Sequence, residues 1–476
     1  MTAQTFAAID LGASNGRVVL GRLEADRLSL EVAHRFDHAI RFVDGHKRWD
    51  WQKIRAEMRV GLARAAEQAE GPIMSVSCDA WAQDFGLLDA SGELFYPPVS
   101  YRDARSERIP DGYFDRISPE QLVARVGVGP LPIVTLCQLY AMARQEPDAL
   151  KRAATLLHIA DLIHHDLCGL TATDWTLATA SQLRNLRTGK WDRELLDLMG
   201  IPHHFLPWLI HEPSVLARIQ KERAPHPKLI GVPVAVTASH DTAAASLAAC
   251  PLDAETAFLS EGTYAMLGSV SDEPVISPEA VRTGCVALGL AGHRWGLFTS
   301  VMGLWVIQEC GRLWEQEGEG ISHEELVRQA EAAAIRSVIP LSQPRFHAPV
   351  NMLAEIRQGC RDAGIPPPAT PGEFARVIFD SMAAEHKAAV DLLSRLTGRR
   401  FGRVHIVSGG CRNAYLCQKL ADALNLPILA GPAEATAIGN VLLQARVMGV
   451  LPSQEAAERV LAAWASRASY MPRPHA

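Results

Sequence analysis

Residues 5–24 read TFAAIDLGASNGRVVLGRLE, and this stretch decides the fold. An apolar run ends in an aspartate, a small-residue turn with two glycines follows, and the chain then alternates apolar and polar side chains. Alternation with a period of two is typical of a strand, so the stretch predicts a β-hairpin rather than a strand that leads into a helix. The pattern recurs at residues 256–268, TAFLSEGTYAMLG, where Gly262 takes the place of Gly12. The repeat predicts two similar domains.

The turn of the first hairpin, residues 10–17, contains residue types that suit a nucleotide phosphate. Small side chains and glycines let backbone N–H groups close around an anion. Asp10, at the end of the first strand, is suited to holding Mg²⁺, and Arg17 can contact phosphate oxygens. The alternative is an ordinary hairpin turn without a ligand.

The same residues also match a hydrolase motif, because Gly12–Gly16 reads GxSxG. A nucleophile elbow requires a helix directly after its serine, here Ser14. The β-branched, alternating residues that follow predict a strand, which disfavours the hydrolase.

Three further turns carry candidate functional residues. Residues 260–263, SEGT, present a hydroxyl and free amides to a second phosphate position. Asp241, in the stretch SHDT, is a candidate base for an attacking hydroxyl, with helix N-capping as the equally simple alternative. Residues 408–413, SGGCRN, place paired glycines between a strand and a helix, where the backbone can approach a flat ring.

The remaining chain reads as alternating strands and helices. Helices are expected near 50–70, through most of 135–168, and over 190–200, 300–315 and 372–397, with a strand at 73–78. No low-complexity linker interrupts the sequence, so two closely packed domains are expected. We place them at 1–244 and 245–476.

Composition excludes several other classes. The 476 residues are 48% hydrophobic and 21% charged, with a net charge of −6, which argues against a nucleic-acid partner. The start resembles no signal sequence, and no run of 18 apolar residues occurs, so we expect a cytoplasmic protein without a membrane partner. Nine scattered cysteines without CxxC predict free thiols. The 17 histidines include no HExxH, and structural or surface histidine is the default interpretation.

Taken in order, these motifs resemble the FGGY carbohydrate kinases, and within them the rhamnulokinases. The matching segments run through nearly the whole chain: GHKRWDW (45–51), DAWAQDFGLLD (79–89), YRDARS (101–106), LTATDWTLATASQL (170–183), ASHDTA (238–243), LSEGTY (259–264), VMGLWVIQE (301–309), HIVSGGCRN (405–413) and ILAGPAEATAIGN (428–440). The resemblance implies an α/β fold of two ribonuclease-H-like, actin-like ATPase domains. Mixed sheets flanked by helices form these domains, and the active site lies in the interdomain cleft.

The resemblance also implies roles for individual residues. The partners are ATP, with Mg²⁺ beside Asp10, and a ketose, in a monomer or homodimer. Asp241 is the catalytic base. The nucleotide-binding residues are Ala13, Ser14, Asn15, Gly16, Arg17, Thr263, Ser300, Gln308, Gly409 and Gly410. The sugar-binding residues are Asp79, Ala82, Gln83, His240, Asp241 and Thr242. Ser300 and Gln308 are expected on one face of the helix predicted over 300–315.

The sequence departs from the rhamnulokinase pattern at five positions. Ala80 and Ala82 replace a threonine and a glycine, Glu261 and Tyr264 replace a serine and a tryptophan, and Ser300 replaces an asparagine. Glu261 would repel phosphate unless it points away or helps hold a metal. L-rhamnulose is the first expected substrate, followed by L-fuculose or a ketopentose, and the two alanines favour a shift away from L-rhamnulose. The alternative is a non-catalytic sugar or nucleotide sensor on the same fold.

Overall fold

The computed structural model describes residues 3–13, 15–249, 252–347, 349–464 and 468–473. The strands are β1 (Gln4–Leu11), β2 (Asn15–Glu24), β3 (Arg27–Asp37), β4 (Ile40–Val43), β5 (His46–Trp49), β6 (Ile73–Ala80), β7 (Phe85–Leu88), β8 (Leu94–Tyr96), β9 (Thr155–His158), β10 (Ala172–Asp174), β11 (Trp208–Ile210), β12 (Ser214–Arg218), β13 (Pro233–Val236), β14 (Thr256–Glu261), β15 (Tyr264–Ser271), β16 (Val286–Gly289), β17 (Trp295–Met302), β18 (Arg403–Val407), β19 (Ile428–Ala430) and β20 (Ala468–Tyr470).

The α-helices are α1 (Trp51–Gln68), α2 (Pro119–Val126), α3 (Thr135–Gln145), α4 (Pro147–Arg152), α5 (Ile159–Cys168), α6 (Trp175–Ala180), α7 (Arg193–Met199), α8 (Asp241–Ala248), α9 (Pro278–Arg282), α10 (Trp305–Gln316), α11 (His323–Ala332), α12 (Met352–Asp362), α13 (Pro371–Thr397), α14 (Ala414–Leu424), α15 (Ala435–Val447) and α16 (Gln454–Trp464). The helices predicted near 50–70 and 372–397 are confirmed. The helical block over 135–168 is interrupted by β9, a short strand that pairs with β7.

The chain forms two compact units, and neither is a single stretch of sequence. The first comprises Met1–Cys250, Ser271–Gly296 and Ala435–Ala465, and the second comprises Pro251–Val270, Leu297–Glu434 and Ser466–Ala476. The domain boundary between residues 244 and 245 stays a prediction. Within the described residues, no helix has the length and apolarity that crossing a membrane requires.

The first unit is built on a mixed sheet with the strand order β12-β13-β6-β1-β2-β3. β1 pairs antiparallel with β2 and parallel with β6. All residues of β1 after the first are buried, as expected for a strand in the middle of a sheet that is covered on both faces. The predicted hairpin is therefore confirmed, and it forms the centre of this unit.

The second unit repeats the arrangement. Within this unit the strands of a seven-stranded sheet follow the order β17-β15-β14-β18-β19-β20, and β14 pairs antiparallel with β15 and parallel with β18. In both hairpin turns a glycine amide donates to a backbone carbonyl, from Gly12 to Asn15 at 3.0 Å and from Gly262 to Tyr264 at 3.2 Å. The second turn is one residue shorter than the first. The predicted duplication is thus visible in the strand order and in the position of the glycine.

In the first unit, α8 and α15 pack through small residues. A methyl group placed on Gly439 of α15 would lie 1.9 Å from the carbonyl oxygen of Ala244 in α8. α15 also packs on β1 and β6, the strands that carry Asp10 and Asp79. The close helix contact therefore supports the edge of the sheet where the predicted site residues lie.

We expect Gly439→Ala to lower the free energy of unfolding by at least about 1–3 kcal/mol, because the added methyl group meets backbone that cannot move aside cheaply. Gly311→Ala in α10 is the matched control, since nothing lies within 4 Å of a methyl group there. The control should stabilise by about 0.4–1 kcal/mol. Urea denaturation followed by circular dichroism measures both. Equal effects of the two substitutions would contradict the packing argument.

Candidate active site

In the first unit, Asp10 and Arg17 face each other across the first turn. They are direct partners in the β1–β2 register. Arg17 donates from Nε and Nη2 to Oδ2 of Asp10, at 2.9 and 2.5 Å. Asp10 is buried, so this ion pair offsets the cost of burying its charge. The predicted phosphate loop thus starts and ends on a fixed pair of charges, between which lie Ala13, Asn15 and Gly16. Ser14 lies outside the described residues.

Asp79 lies beside Asp10 on the neighbouring strand, in direct parallel register. Its side chain is fully buried, and Oδ2 accepts a hydrogen bond of 2.6 Å from Nδ2 of Asn440 in α15. Oδ1 has no hydrogen-bond partner among the described residues. Burial raises the pKa of Asp79 well above its usual value, and the charge of Asp10 raises it further. A buried oxygen without a partner marks a place where a ligand can donate or accept a proton.

Asp241 is the first residue of α8, and His240 occupies the N-cap position. Oδ1 of Asp241 accepts from the amide and the hydroxyl of Thr242, at 2.5 and 3.1 Å. About 28% of its side-chain surface is exposed. Burial of the rest raises the pKa of Asp241 to about 7, and the charge of Asp10 contributes. A carboxylate with a pKa near neutrality is well suited to accept a proton from a hydroxyl.

His240 is a neutral neighbour of Asp241. Its Nε2 lies 3.5 Å from Oδ1 of Asp241, and burial lowers its pKa to about 4. Two residues from the stretch 170–183 fix the backbone here. The amide of Ser239 donates to Asp174, and the amide of His240 donates to the hydroxyl of Thr176, both at 3.2 Å. Asp174 and Thr176 are positioning residues that sequence reasoning did not single out.

The predicted sugar-side loop, residues 79–83, is joined to the Asp241 turn by the backbone. The amide of Ala80 donates to the carbonyl of Ser239 at 2.9 Å. Ala80 and Ala82 are both buried. The carbonyl of Gln83 accepts from the hydroxyl of Thr135 at 3.0 Å, while its buried side-chain Oε1 has no partner in the part of the chain that the structure describes. The loop is thus held rigidly and leaves a polar atom available.

Mg²⁺ fits these donors only as an ion that arrives with phosphate. Within the described ranges, no three or more histidine, cysteine or acidic side chains are gathered as a complete metal site. Mg²⁺ is commonly held by one or two carboxylates together with substrate phosphates and water. Asp10, at the start of the predicted phosphate loop, supplies a carboxylate of the required kind.

In the second unit, Thr263 and Gln308 meet at the start of α10. The hydroxyl of Thr263 donates to Oε1 of Gln308 at 3.2 Å. The carbonyls of Gly262 and Thr263 accept from the amides of Leu304 and Trp305, at 2.8 and 3.0 Å. These bonds attach the hairpin turn at residues 262–263 to the N-terminal end of α10.

The predicted helix over 300–315 is wrong at its beginning. β17 continues to Met302, and α10 begins only at Trp305. Ser300 therefore lies on a strand, where its hydroxyl donates to the sulfur of Met266 at 3.3 Å. Ser300 and Gln308 do not share a helix face. Gly303 lies between the strand and the helix. This position requires a glycine, because a side chain there would come within 2.6 Å of the carbonyl oxygen of Gly262.

Gly409 and Gly410 lie in a short 3₁₀ helix, Gly409–Arg412, as the strand–turn–helix interpretation of 403–424 predicted. A methyl group on Gly410 would lie 2.1 Å from Cγ of Glu261, whereas nothing lies within 4 Å of one on Gly409. The second phosphate turn thus packs against Gly410 and requires a glycine there. Contact of Gly410 with adenine stays a prediction.

Glu261 points into the protein and is fully buried. Its Oε2 lies 2.8 Å from Nε2 of His386 in α13, and Nδ1 of His386 lies 2.6 Å from the carbonyl of Met382. Since a carbonyl only accepts, Nδ1 carries a proton, and Nε2 shares a second proton with Glu261. Burial lowers the pKa of His386, but the hydrogen bond and charge of Glu261 outweigh burial and raise it. His386 is another residue that sequence reasoning missed.

Comparison with known proteins agrees with this geometry. The model of the FGGY family of carbohydrate kinases matches as an N-terminal domain over residues 5–248 and a C-terminal domain over residues 257–448. The chain is 34% identical to a rhamnulokinase of Klebsiella pneumoniae, over 100% of this chain and 96% of the relative. It is 36% identical to a rhamnulokinase of an Enterobacter species, over 93% and 89% of the two chains.

Solved structures support the fold. A gluconate kinase from Lactobacillus acidophilus superposes with a TM-score of 0.81 at 17% identity, over 99% of this chain and 94% of that one. A Plasmodium falciparum glycerol kinase with ADP gives a TM-score of 0.80 at 15% identity, with the same coverage. The chain therefore has the actin-like ATPase fold of sugar kinases. It belongs to the FGGY family of carbohydrate kinases.

We expect His386→Leu to cost about 3–5 kcal/mol of unfolding free energy, because it leaves Glu261 buried without its partner. Adding Glu261→Leu should recover much of that loss, since replacing both members of a buried pair by apolar groups is often close to neutral. Urea denaturation of the two single variants and the double variant forms the cycle. Strictly additive losses would show that the pair is not coupled.

Proposed function

We propose that this chain transfers the γ-phosphoryl group of MgATP to a hydroxyl group of a ketose, with Asp241 as the general base. The observation that carries the proposal is the environment of Asp241. Its pKa is raised to about 7 at the start of α8, and the neighbouring His240 is kept neutral. A helix cap alone has no need of a carboxylate tuned in this way.

In the proposed reaction, Asp241 accepts the proton of the sugar hydroxyl as its oxygen attacks the γ-phosphorus. The O–H electron pair becomes the new O–P bond, and the bond from the γ-phosphorus to the bridging oxygen breaks, releasing ADP. Oδ1 of Asp241 is occupied by two hydrogen bonds from Thr242, which leaves Oδ2 to accept the proton. Mg²⁺, when bound beside Asp10, neutralises phosphate charge.

In the first unit, buried polar atoms that have no hydrogen-bond partner among the described residues support a polyhydroxylated substrate. They are Oδ1 of Asp79, Oε1 of Gln83, Oγ of Ser239 and Nδ1 of His240. All four belong to the two segments joined through the Ala80 amide. Burying polar atoms without partners costs free energy, and sugar hydroxyls, which both donate and accept, would recover it.

For the nucleotide, we propose that backbone amides of Ala13, Asn15 and Gly16, together with Ser14 and Arg17, contact one phosphate region. Thr263 and Gln308 would contact the other. The adenine would lie against Gly409 and Gly410, and Ser300 would contact the nucleotide from β17. Glu261 does not oppose phosphate binding in this scheme, because its carboxylate is turned inward to His386.

L-rhamnulose is the leading substrate, followed by L-fuculose and ketopentoses. Its support is the identity of 32–36% to relatives described as rhamnulokinases. A non-catalytic sensor would bind sugar and nucleotide without ATP turnover. Binding calorimetry combined with a turnover assay therefore distinguishes the sensor from the kinase.

Asp241→Asn should lower kcat by about 10²–10⁴, because it removes the general base while keeping the side-chain shape. Calorimetric binding of ATP and ketose should change little. Asp148→Asn is the matched control, since Asp148 lies in the first turn of α4 on the surface, and it should keep full activity. An Asp241→Asn variant that retains more than about a tenth of the wild-type kcat would show that Asp241 is not the base.

Ala80→Thr combined with Ala82→Gly should shift kcat/KM toward L-rhamnulose. Both alanines are buried in the loop tied to the Asp241 turn, so a new hydroxyl and a lost methyl group change the space and the donors near the sugar. The measurement compares kcat/KM of both proteins for L-rhamnulose, L-fuculose, L-ribulose and D-ribulose. If the wild type already prefers L-rhamnulose and the ranking is unchanged in the variant, these residues only pack.

A further inference from the structure

The first unit contains a cavity of about 760 Å³ that none of the proposed catalytic or substrate-binding residues lines. Its walls come from the β4–β5 hairpin, the first turns of α1, the β7–β8 connection and the end of α5. We call it the arginine cavity, after five of its residues: Arg41, Arg48, Arg55, Arg59 and Arg223. Its volume is in the usual range for a small-molecule site.

The arginine cavity has an excess of positive charge. Its lining includes five arginines but only three acidic residues, Asp50, Glu93 and Asp166, which leaves a formal charge of +2. The whole chain has a net charge of −6. This local excess therefore runs against the charge of the protein as a whole.

The acidic residues are already paired or exposed. Nε of Arg41 lies 2.7 Å from Oδ2 of Asp50. Arg55 and Arg59, one turn apart on α1, share the carboxylate of Asp166 at 2.5 and 2.9 Å. Glu93 is exposed on the β7–β8 connection.

Arg48 and Arg223 have no carboxylate within ion-pair distance in the described part of the chain. Arg48 is only 8% exposed, donates to the carbonyl of Pro97 at 2.7 Å and lies 4.3 Å above the ring of Tyr96. Arg223 donates to the carbonyl of His165 at 3.1 Å. A guanidinium that is buried without a counter-charge is costly, so an anion in the cavity would be strongly favoured.

We propose that the arginine cavity binds a small organic phosphomonoester, outside the catalytic site. Guanidinium groups match phosphate oxygens in geometry and charge, and Arg48 and Arg223 are the groups left to make that contact. The carbon skeleton of the ligand would lie on the apolar part of the lining, formed by Trp51, Leu94 and Leu162. The product of the proposed reaction is one member of this class, although the site itself does not depend on that reaction.

The test is calorimetry with D-fructose 1-phosphate, inorganic phosphate and D-fructose as probes. The wild type should bind the phosphomonoester, and Arg48→Met with Arg223→Met should weaken it by about tenfold or more, since each removes a charged donor. If substitution of the buried Arg48 perturbs folding, the single variant Arg223→Met tests the loss of affinity on its own. Arg218→Met is the matched control, because Arg218 also donates to a backbone carbonyl but does not line the cavity.

Hydrogen exchange then locates the ligand. Bound phosphomonoester should protect residues 51–59 of α1, and the arginine variants should abolish that protection while ATP turnover remains at the wild-type level. If the proposed kinase function is wrong, ATP turnover is absent in every variant, and the protection measured by hydrogen exchange is unaffected. Unchanged affinity in the arginine variants, no binding by the wild type, or protection confined to residues 10–17 would each overturn the proposal.

Discussion

The structure of the first unit depends on keeping three carboxylates close together in one short region, two of them buried and the third, Asp241, partly buried. Asp10 and Asp79 are neighbours across a parallel strand pair, and Asp10 also acts through its charge on Asp241. Burial raises the pKa values of Asp79 and Asp241, and the nearby charge of Asp10 raises both further. Arg17 and Asn440 stabilise this arrangement with direct hydrogen bonds. The fold therefore holds the Asp241 carboxyl at a pKa of about 7.

The second unit uses the same strand arrangement for a different purpose. The carboxylate next to its turn at residues 262–263 is not exposed to solvent, because Glu261 is buried against His386. The backbone carbonyls of the turn accept hydrogen bonds from the start of α10. The amide of Gly262 closes the turn by donating to the carbonyl of Tyr264, and the hydroxyl of Thr263 donates to Gln308. The two turns thus connect strands that are paired in the same way, while their side chains differ. Asp10 adjoins the turn in the first unit, and Thr263 lies in the turn of the second.

Local patterns predicted the two hairpins, α1, α13 and the glycine turn at 409–410, because each is encoded by its own periodicity and turn residues. Prediction failed where a tertiary contact determines the end of an element or the role of a residue. The amphipathic pattern of residues 300–315 predicted a helix from residue 300, yet β17 continues to Met302, and Gly303 then lies against the carbonyl of Gly262. Asn440, which bonds Asp79 from 361 residues away, gave no local signal of its role. His386, 125 residues from Glu261, is a similar case.

The pH dependence of kcat/KM for the ketose tests the central claim most directly, because this ratio reports the ionisation of the free enzyme. Asp241 must be charged to accept a proton, and burial raises its pKa to about 7. Activity should therefore rise about tenfold per pH unit below pH 7 and level off above it. A profile that is flat from about pH 5 to 8 would contradict the assignment of a buried, tuned carboxylate as the base.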